Sequence, residues 1–308
     1  MQPATDDPMF NSILVPLDGS TLAEQALPLA AAIAEWHKAS LSLAVVHPWG
    51  PAEDAPRPAS RADQELREEE GVYLNRQMQA IATAYRIPVC ETVLDGNSGP
   101  KLVEFARERG IDLVVAGTHG YGAIGRLKVG GVARHLAHGL GASVLFVKPQ
   151  VGPIRMTAHG GFGRILVALD GSVRSEAALE PAAALGAKDG MVLALARVIA
   201  AGRPRLNQRQ AEAGRYLASL VRRVQRHGRR IQSAVLVGDN SADALLAYAS
   251  EESMELIAIA TRERGPVART ILGSMADAAV HKATVPVLVC HAVSAAAPAP
   301  ITLCATGQ

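Results

Sequence analysis

A chain of 308 residues exceeds one ordinary α/β unit, and two units is the natural division. Hydrophobic residues make up 49% and aromatic ones only 4%, so the cores must be aliphatic. A formal net charge of +2 argues against a dedicated nucleic-acid or membrane-surface protein, and three scattered cysteines (Cys90, Cys290, Cys304) fit a reducing compartment better than a disulfide framework.

The segment from Met1 to Phe10 has neither a basic start nor an apolar run, so no signal peptide is read there. No stretch approaches the roughly 18 apolar residues of a membrane span, and the cytoplasm is the expected location. Strand one is read over Ser12–Leu17, followed by a helix from about Thr21 with Leu22, Ala26, Leu29 and Ile33 at helical spacing. Strand two spans Leu41–Val46. A Pro-rich loop, HPWGPAEDAPRPAS, leads to a long polar helix from about Arg61 to Tyr85. Strand three is Val89–Leu94, and Ser98 is expected to cap a helix ending near Gly110. Strand four is Leu113–Gly117, a glycine-rich loop leads to a helix near Gly130–His138, and strand five is Ser143–Val147.

The chain then repeats itself. SILVPLDGST at Ser12 returns as RILVALDGSV at Arg164, which matches Asp18 with Asp170. IDLVVAGTHG at Ile111 resembles MELIAIATRE at Met254, and ASVLFVKP at Ala142 resembles VPVLVCHA at Val285. The later matches are more closely spaced than the first, because the second half mostly lacks the Pro-rich loop. Ordered matches that differ only in a loop indicate duplication. Second-half strands are expected near Ile165–Leu169, Met191–Ala196, Gln232–Val237, Leu256–Ala260 and Val287–Cys290. Strands alternating with helices imply right-handed crossovers and a parallel sheet covered on both faces. The fold class is therefore α/β: two doubly wound, five-stranded parallel units in tandem, at residues 10–149 and 163–292. The Gly- and Pro-containing stretch Pro149–Gly163 links them, and the Ala/Pro-rich tail after His291 trails.

An open parallel sheet binds ligands beyond the carboxyl ends of its strands. Three first-half segments reach that edge: PLDGS, HPW and AGTHGYGAIGRLKVGGVAR. The last carries Gly117, Gly120, Gly122, Gly125, Gly130 and Gly131 and runs into a helix start, where free N–H groups and the dipole favour phosphate. Arg126 and Lys128 add positive charge, and Asp18 is an acceptor for ribose hydroxyls or an adenine amino group. The segment is not a P-loop, since no Gly-Lys-Ser/Thr ends it, nor the dinucleotide fingerprint, which follows the first strand. A plainer reading of Asp18-Gly19-Ser20 is helix-cap chemistry.

Taken together, ILVPLDGS, VVAGTHGYGAIGRLKVGGVARHLA and ASVLFVKP resemble the universal stress protein family, and the resemblance covers nearly the whole chain. The family's nucleotide motif is Gly, two residues, Gly, nine residues, Gly, then Ser or Thr. Gly117, Gly120 and Gly130 keep that spacing, but Gly131 stands where the hydroxyl residue belongs, with Val132 next. The lost hydrogen bond is worth roughly 0.5–1.5 kcal/mol, so weakened ATP binding is expected in the first half. The second half departs the other way: Gly273 and Ser274 keep the end of the motif, while Ala260 and Glu263 replace the first two glycines.

By this resemblance, Asp18 and Asp170 would hold adenosine, Pro16 and Leu17 with Gly19 would line the base pocket, and His47 and Pro48 would touch adenine at the end of strand two. Arg197 and Val198 would be their second-half counterparts. His119 lies inside the motif, although a loop histidine facing solvent is its plainer reading. The implied ligand is ATP, with or without Mg2+. The implied role is a nucleotide-dependent stress-response regulator with protein partners, not an enzyme. A nucleotide-free scaffold and a slow ATPase are the rivals, and a homodimer of two-unit chains is left open. Resemblance further implies that the two fifth strands meet. The long helices of the two halves differ in charge: RADQELREEE opens one, and Arg215–Arg230 of the other is basic. Without interleaved aromatics, that basic run gives no support to base stacking.

Overall fold

The computed structural model describes residues 9–48, 60–118, 132, 135–136, 141–148, 156–157, 161–187, 189–225, 230–261 and 273–291. In the first half, β1 (Ser12–Leu17), β2 (Ser40–His47), β3 (Val89–Asp95), β4 (Leu113–Gly117) and β5 (Ser143–Val147) alternate with helices. These are α1 (Thr21–Glu24), α2 (Leu27–His37), α3 (Arg61–Ala84) and α4 (Ser98–Glu108). In the second half come β6 (Arg164–Leu169), β7 (Val192–Ile199), β8 (Arg230–Val237), β9 (Leu256–Thr261) and β10 (Val287–His291). Their helices are α5 (Val173–Glu176), α6 (Leu179–Ala184), α7 (Leu206–Val224), α8 (Ser241–Glu251) and α9 (Ser274–Lys282).

All ten strands form one sheet in the order β3-β2-β1-β4-β5-β10-β9-β6-β7-β8. Pairing is parallel within each half. The halves join through an antiparallel seam in which Phe146, Leu145 and Val144 face Val287, Leu288 and Val289, so the fifth strands do meet. Lys148 Nζ at the end of β5 donates to the carbonyl of His281 in the last turn of α9, a cation at a helix C-terminus.

The strands read as unbroken aliphatic runs because both faces are covered. Along β1, Ile13, Val15 and Leu17 pack into one cluster with Ala30, Ile33 and Leu74 of α2 and α3, while Leu14 packs on the other face with Leu102 and Phe105 of α4. This alternation is the two-residue period of a strand. The helix expected from Thr21 is instead two helices. Pro28 has no N–H to give to Glu24, so α1 stops and the chain restarts with proline in the first turn of α2. The cap of α4 also differs: Asn97 is the N-cap and Ser98 is already helical. Ser60 does cap α3, accepting from the Asp63 N–H while Asp63 Oδ2 accepts from the Ser60 N–H.

Each half ties its first strand to its fourth through a carboxylate. Asp112 accepts the backbone N–H of Asn11 at 2.7 Å and of Ser12 at 3.2 Å, and Glu255 accepts those of Gly163 at 2.6 Å and Arg164 at 3.3 Å. Burial outweighs these bonds at Asp112 and pushes its carboxyl up to about 6. Between the usual carboxylate value and about pH 6, the folded chain keeps a proton that the unfolded chain has released. The Asp112 contribution to stability is therefore fullest in acid and falls by about 3 kcal/mol as pH rises through this window. Melting curves of the protein and of Asp112→Asn between pH 4 and 7 are expected to converge and then cross in favour of Asn as pH rises. Parallel curves would rule out the shift.

Candidate functional site

The strand order places the chain's change of direction between β1 and β4 in the first half and between β6 and β9 in the second. A crevice outside the carboxyl ends of such strands is where ligands bind in open α/β sheets. Because the seam is antiparallel, the two crevices open at opposite rims of the common sheet.

The first crevice is bounded on the β1 side by Pro16, half-buried, and Leu17, buried, followed by the exposed Asp18 and Gly19. Asp18 Oδ1 accepts the backbone N–H of Ser20 at 3.0 Å and its hydroxyl at 2.6 Å, and Ser20 Oγ accepts the Ala23 N–H at 3.2 Å. Asp18 thus braces the cap of α1 with its carboxylate exposed at the rim; cap chemistry and an exposed acceptor coexist. On the β4 side, Gly117 ends the strand and Thr118, 3% exposed, donates its N–H to Val147 O at 3.0 Å. His119, Gly120, Arg126, Gly130 and Gly131 lie outside the described residues. Val132 is helical and packs half-buried against the α4-side core.

At the end of β2, His47 is buried and its Nδ1 lies 2.9 Å from Oε2 of Glu70 on α3, while Pro48 is exposed. A second contact escaped the sequence reading. Glu24 of α1 accepts Gln77 Nε2 of α3 at 3.0 Å and lies close enough to the Tyr73 hydroxyl of the same helix to act on its phenol. Burial, then Glu24, raise the Tyr73 phenol, and Asp18 is close enough to add to the shift. The second half repeats the pair: Tyr216 donates to Glu176 Oε1 at 2.9 Å, with its phenol raised to about 12 by the same causes. Glu24 and Glu176, and Tyr73 and Tyr216, occupy equivalent places in the repeat; comparing the halves position by position would have exposed them.

In the second crevice Asp170 mirrors Asp18, accepting Ser172 N–H at 2.8 Å and its hydroxyl at 2.6 Å, with Ser172 capping α5. Gly273 is the N-cap of α9 and Ser274 its first residue, so these two sit at a helix start as expected. The strand-two counterparts need correction. β1 pairs Leu17 with Val45, and β6 pairs Leu169 with Arg197. Gly96 N–H bonds to His47 O, and Gly238 N–H to Ile199 O. Arg197 therefore takes the place of Val45 and Val198 that of Val46, while Ile199 and Ala200 correspond to His47 and Pro48. Neither Arg197 nor Val198 is at the strand terminus where the comparison of residues alone put it.

Two five-stranded parallel units, each with a crevice where its strand order changes direction, define a tandem Rossmann-like protein. The family model described as "Universal stress protein family" matches residues 9–148 and again 161–291, and the chain belongs to that family. Universal stress protein Rv2005c of Mycobacterium tuberculosis is 28% identical over 223 residues, covering 68% of this chain and 72% of that protein. Universal stress protein MJ0531 of Methanocaldococcus jannaschii is 28% identical over 141 residues, covering 46% of this chain and 83% of its own. Among solved structures, a universal stress protein from Archaeoglobus fulgidus superposes with a TM-score of 0.70 at 20% identity, covering 91% of this chain and 96% of that one. That likeness concerns the fold.

Proposed function

We propose that the first unit binds ATP and that the protein is a nucleotide-dependent stress-response regulator in the cytoplasm, acting by changing partners and not by turning over substrate. The observation that carries this reading is the crevice between β1 and β4. It has an exposed carboxylate at Asp18 on one rim, and on the other a strand that feeds directly into the spaced glycines from Gly117. A carboxylate suits ribose hydroxyls, and a glycine run entering a helix suits phosphates. Among the described residues no group of three or more metal-ligating side chains occurs. Among the same residues no helix is long and apolar enough to cross a membrane. A regulator of this kind needs different affinities for ATP in its two states, which are then coupled to partner choice.

The test is to purify the chain without added nucleotide, denature it, and quantify what is released by chromatography. Near-stoichiometric ATP is expected from the wild type and less than a tenth of that from Asp18→Ala and Gly120→Glu. ATP that survives both substitutions would move the site to the second unit. If none is released and added ATP gives no thermal shift, the reading fails and a nucleotide-free scaffold takes its place. Phosphate release well above background, lost in Asp18→Ala, would instead make the protein an ATPase.

A further inference from the structure

The two crevices share a frame on the side of their first and second strands, and there the residue paired with the end of the first strand differs: Val45 in one, Arg197 in the other. Each has an Asp-Gly-Ser turn, with Gly19 at φ 77° and Gly171 at φ 92°, and a Glu–Tyr pair behind it. In the first unit, a Cβ placed on Gly19 would meet nothing within 4 Å among the described residues. In the second, a Cβ on Gly171 would lie 2.8 Å from Arg197 Cζ and 2.9 Å from each terminal nitrogen. The guanidinium therefore lies directly on the backbone of the turn.

Arg197 is also held from behind. Its Cζ is 5.5 Å from the centroid of the Tyr216 ring, a cation–π contact. That ring is fixed by the hydroxyl's bond to Glu176, whose other oxygen is held by Arg223. Arg197 is half-buried, and a planar cation between a turn and an anchored ring loses little further freedom in staying there. Among the described residues of the first unit no such group lies on the turn. Val45 stands in the same register, 5% exposed in the core cluster that Tyr73 also packs against, and its short apolar side chain carries no charge to the turn.

We propose that Arg197 determines which of the two equivalent crevices takes adenosine: its guanidinium occupies at Gly171 the space that no described residue fills at Gly19, leaving one seat per chain. This rests on reading the first crevice as the nucleotide site, but it is tested separately. Adenosine is the diagnostic probe, because Ala260 and Glu263 stand in the second unit where the first has the glycines meant for phosphate.

Equilibrium dialysis with labelled adenosine would compare full-length wild type, Asp18→Ala, Asp18→Ala/Arg197→Val and Asp18→Ala/Arg197→Met, with a melting curve for each. One equivalent is expected for the wild type and none for Asp18→Ala. A seat regained with at least tenfold higher affinity is expected in whichever Arg197 variant melts like its parent. Adenosine binding by the Arg197 variants when the wild type binds none would defeat the reading of the first crevice and uphold the role of Arg197. Two equivalents on the wild type, or no gain in a folded Arg197 variant, would overturn the proposal.

Discussion

Leu288→Ala is expected to lower the unfolding midpoint reported by tryptophan fluorescence, although both tryptophans, Trp36 and Trp49, belong to the first half of the sequence. Leu288 pairs with Leu145 across the antiparallel seam; both are 0% exposed and share one core cluster with Ile13, Val15 and Ile33 of the first half. Truncating such a leucine costs about 2–5 kcal/mol through lost burial and the cavity left behind. If the ten-stranded sheet unfolds as one body, that loss shifts the whole transition, so urea curves by fluorescence and by far-UV circular dichroism should move together. A fluorescence curve that stays in place while circular dichroism splits into two steps would mean that the units unfold independently.

Gly161→Ala is expected to cost about 2–4 kcal/mol, more than Gly110→Ala. Both glycines have left-handed backbones, at φ 78° and φ 60°, so either alanine incurs roughly 1–2 kcal/mol of conformational strain. Only at Gly161 is there no room. A Cβ there would lie 2.7 Å from the Ala187 nitrogen and 3.0 Å from its Cα, with Trp36 Cη2 at 2.9 Å. At Gly110 it would meet nothing within 4 Å. The tryptophan could move, but the backbone of Ala187 is fixed by its bond to Phe162 O at 2.9 Å. Equal destabilisation in the two variants, measured by urea midpoint, would show that crowding at Gly161 is relieved elsewhere.

The strands were legible because parallel strands covered on both faces must be written as aliphatic runs; ILVPL and RILVAL have no other economical reading. The duplication and the meeting of the fifth strands followed from ordered matches and from family resemblance. What escaped depends on register. Matching His47 with Arg197 aligns two polar residues that follow apolar runs, and only the pairing of β6 with β7 shows a displacement of two residues. Tyr73 and Glu24 lie on two helices separated by a helix, a strand and a loop. On α3 the tyrosine is one residue among many charged ones, and its role emerges only when Tyr216 and Glu176 are laid beside it. The break before Pro28 was readable from the proline alone; the periodicity of Leu22, Ala26, Leu29 and Ile33 ran through it, whereas across the two-residue interruption it is Ala23, not Leu22, that joins Ala26, Leu29 and Ile33 in the core.

The seam has a consequence for how such a protein can diversify. Two identical chains meeting edge to edge would carry every substitution twice, once in each crevice, and no change could affect one site and spare the other. Joining the copies by Pro149–Gly163 removes that constraint, because Val45 and Arg197 are encoded separately. It also makes the pairing of β5 with β10 independent of protein concentration, so a chain at low abundance keeps both units together. The linkage thus permits a lasting asymmetry in which one copy can specialise while the other remains as its structural counterweight.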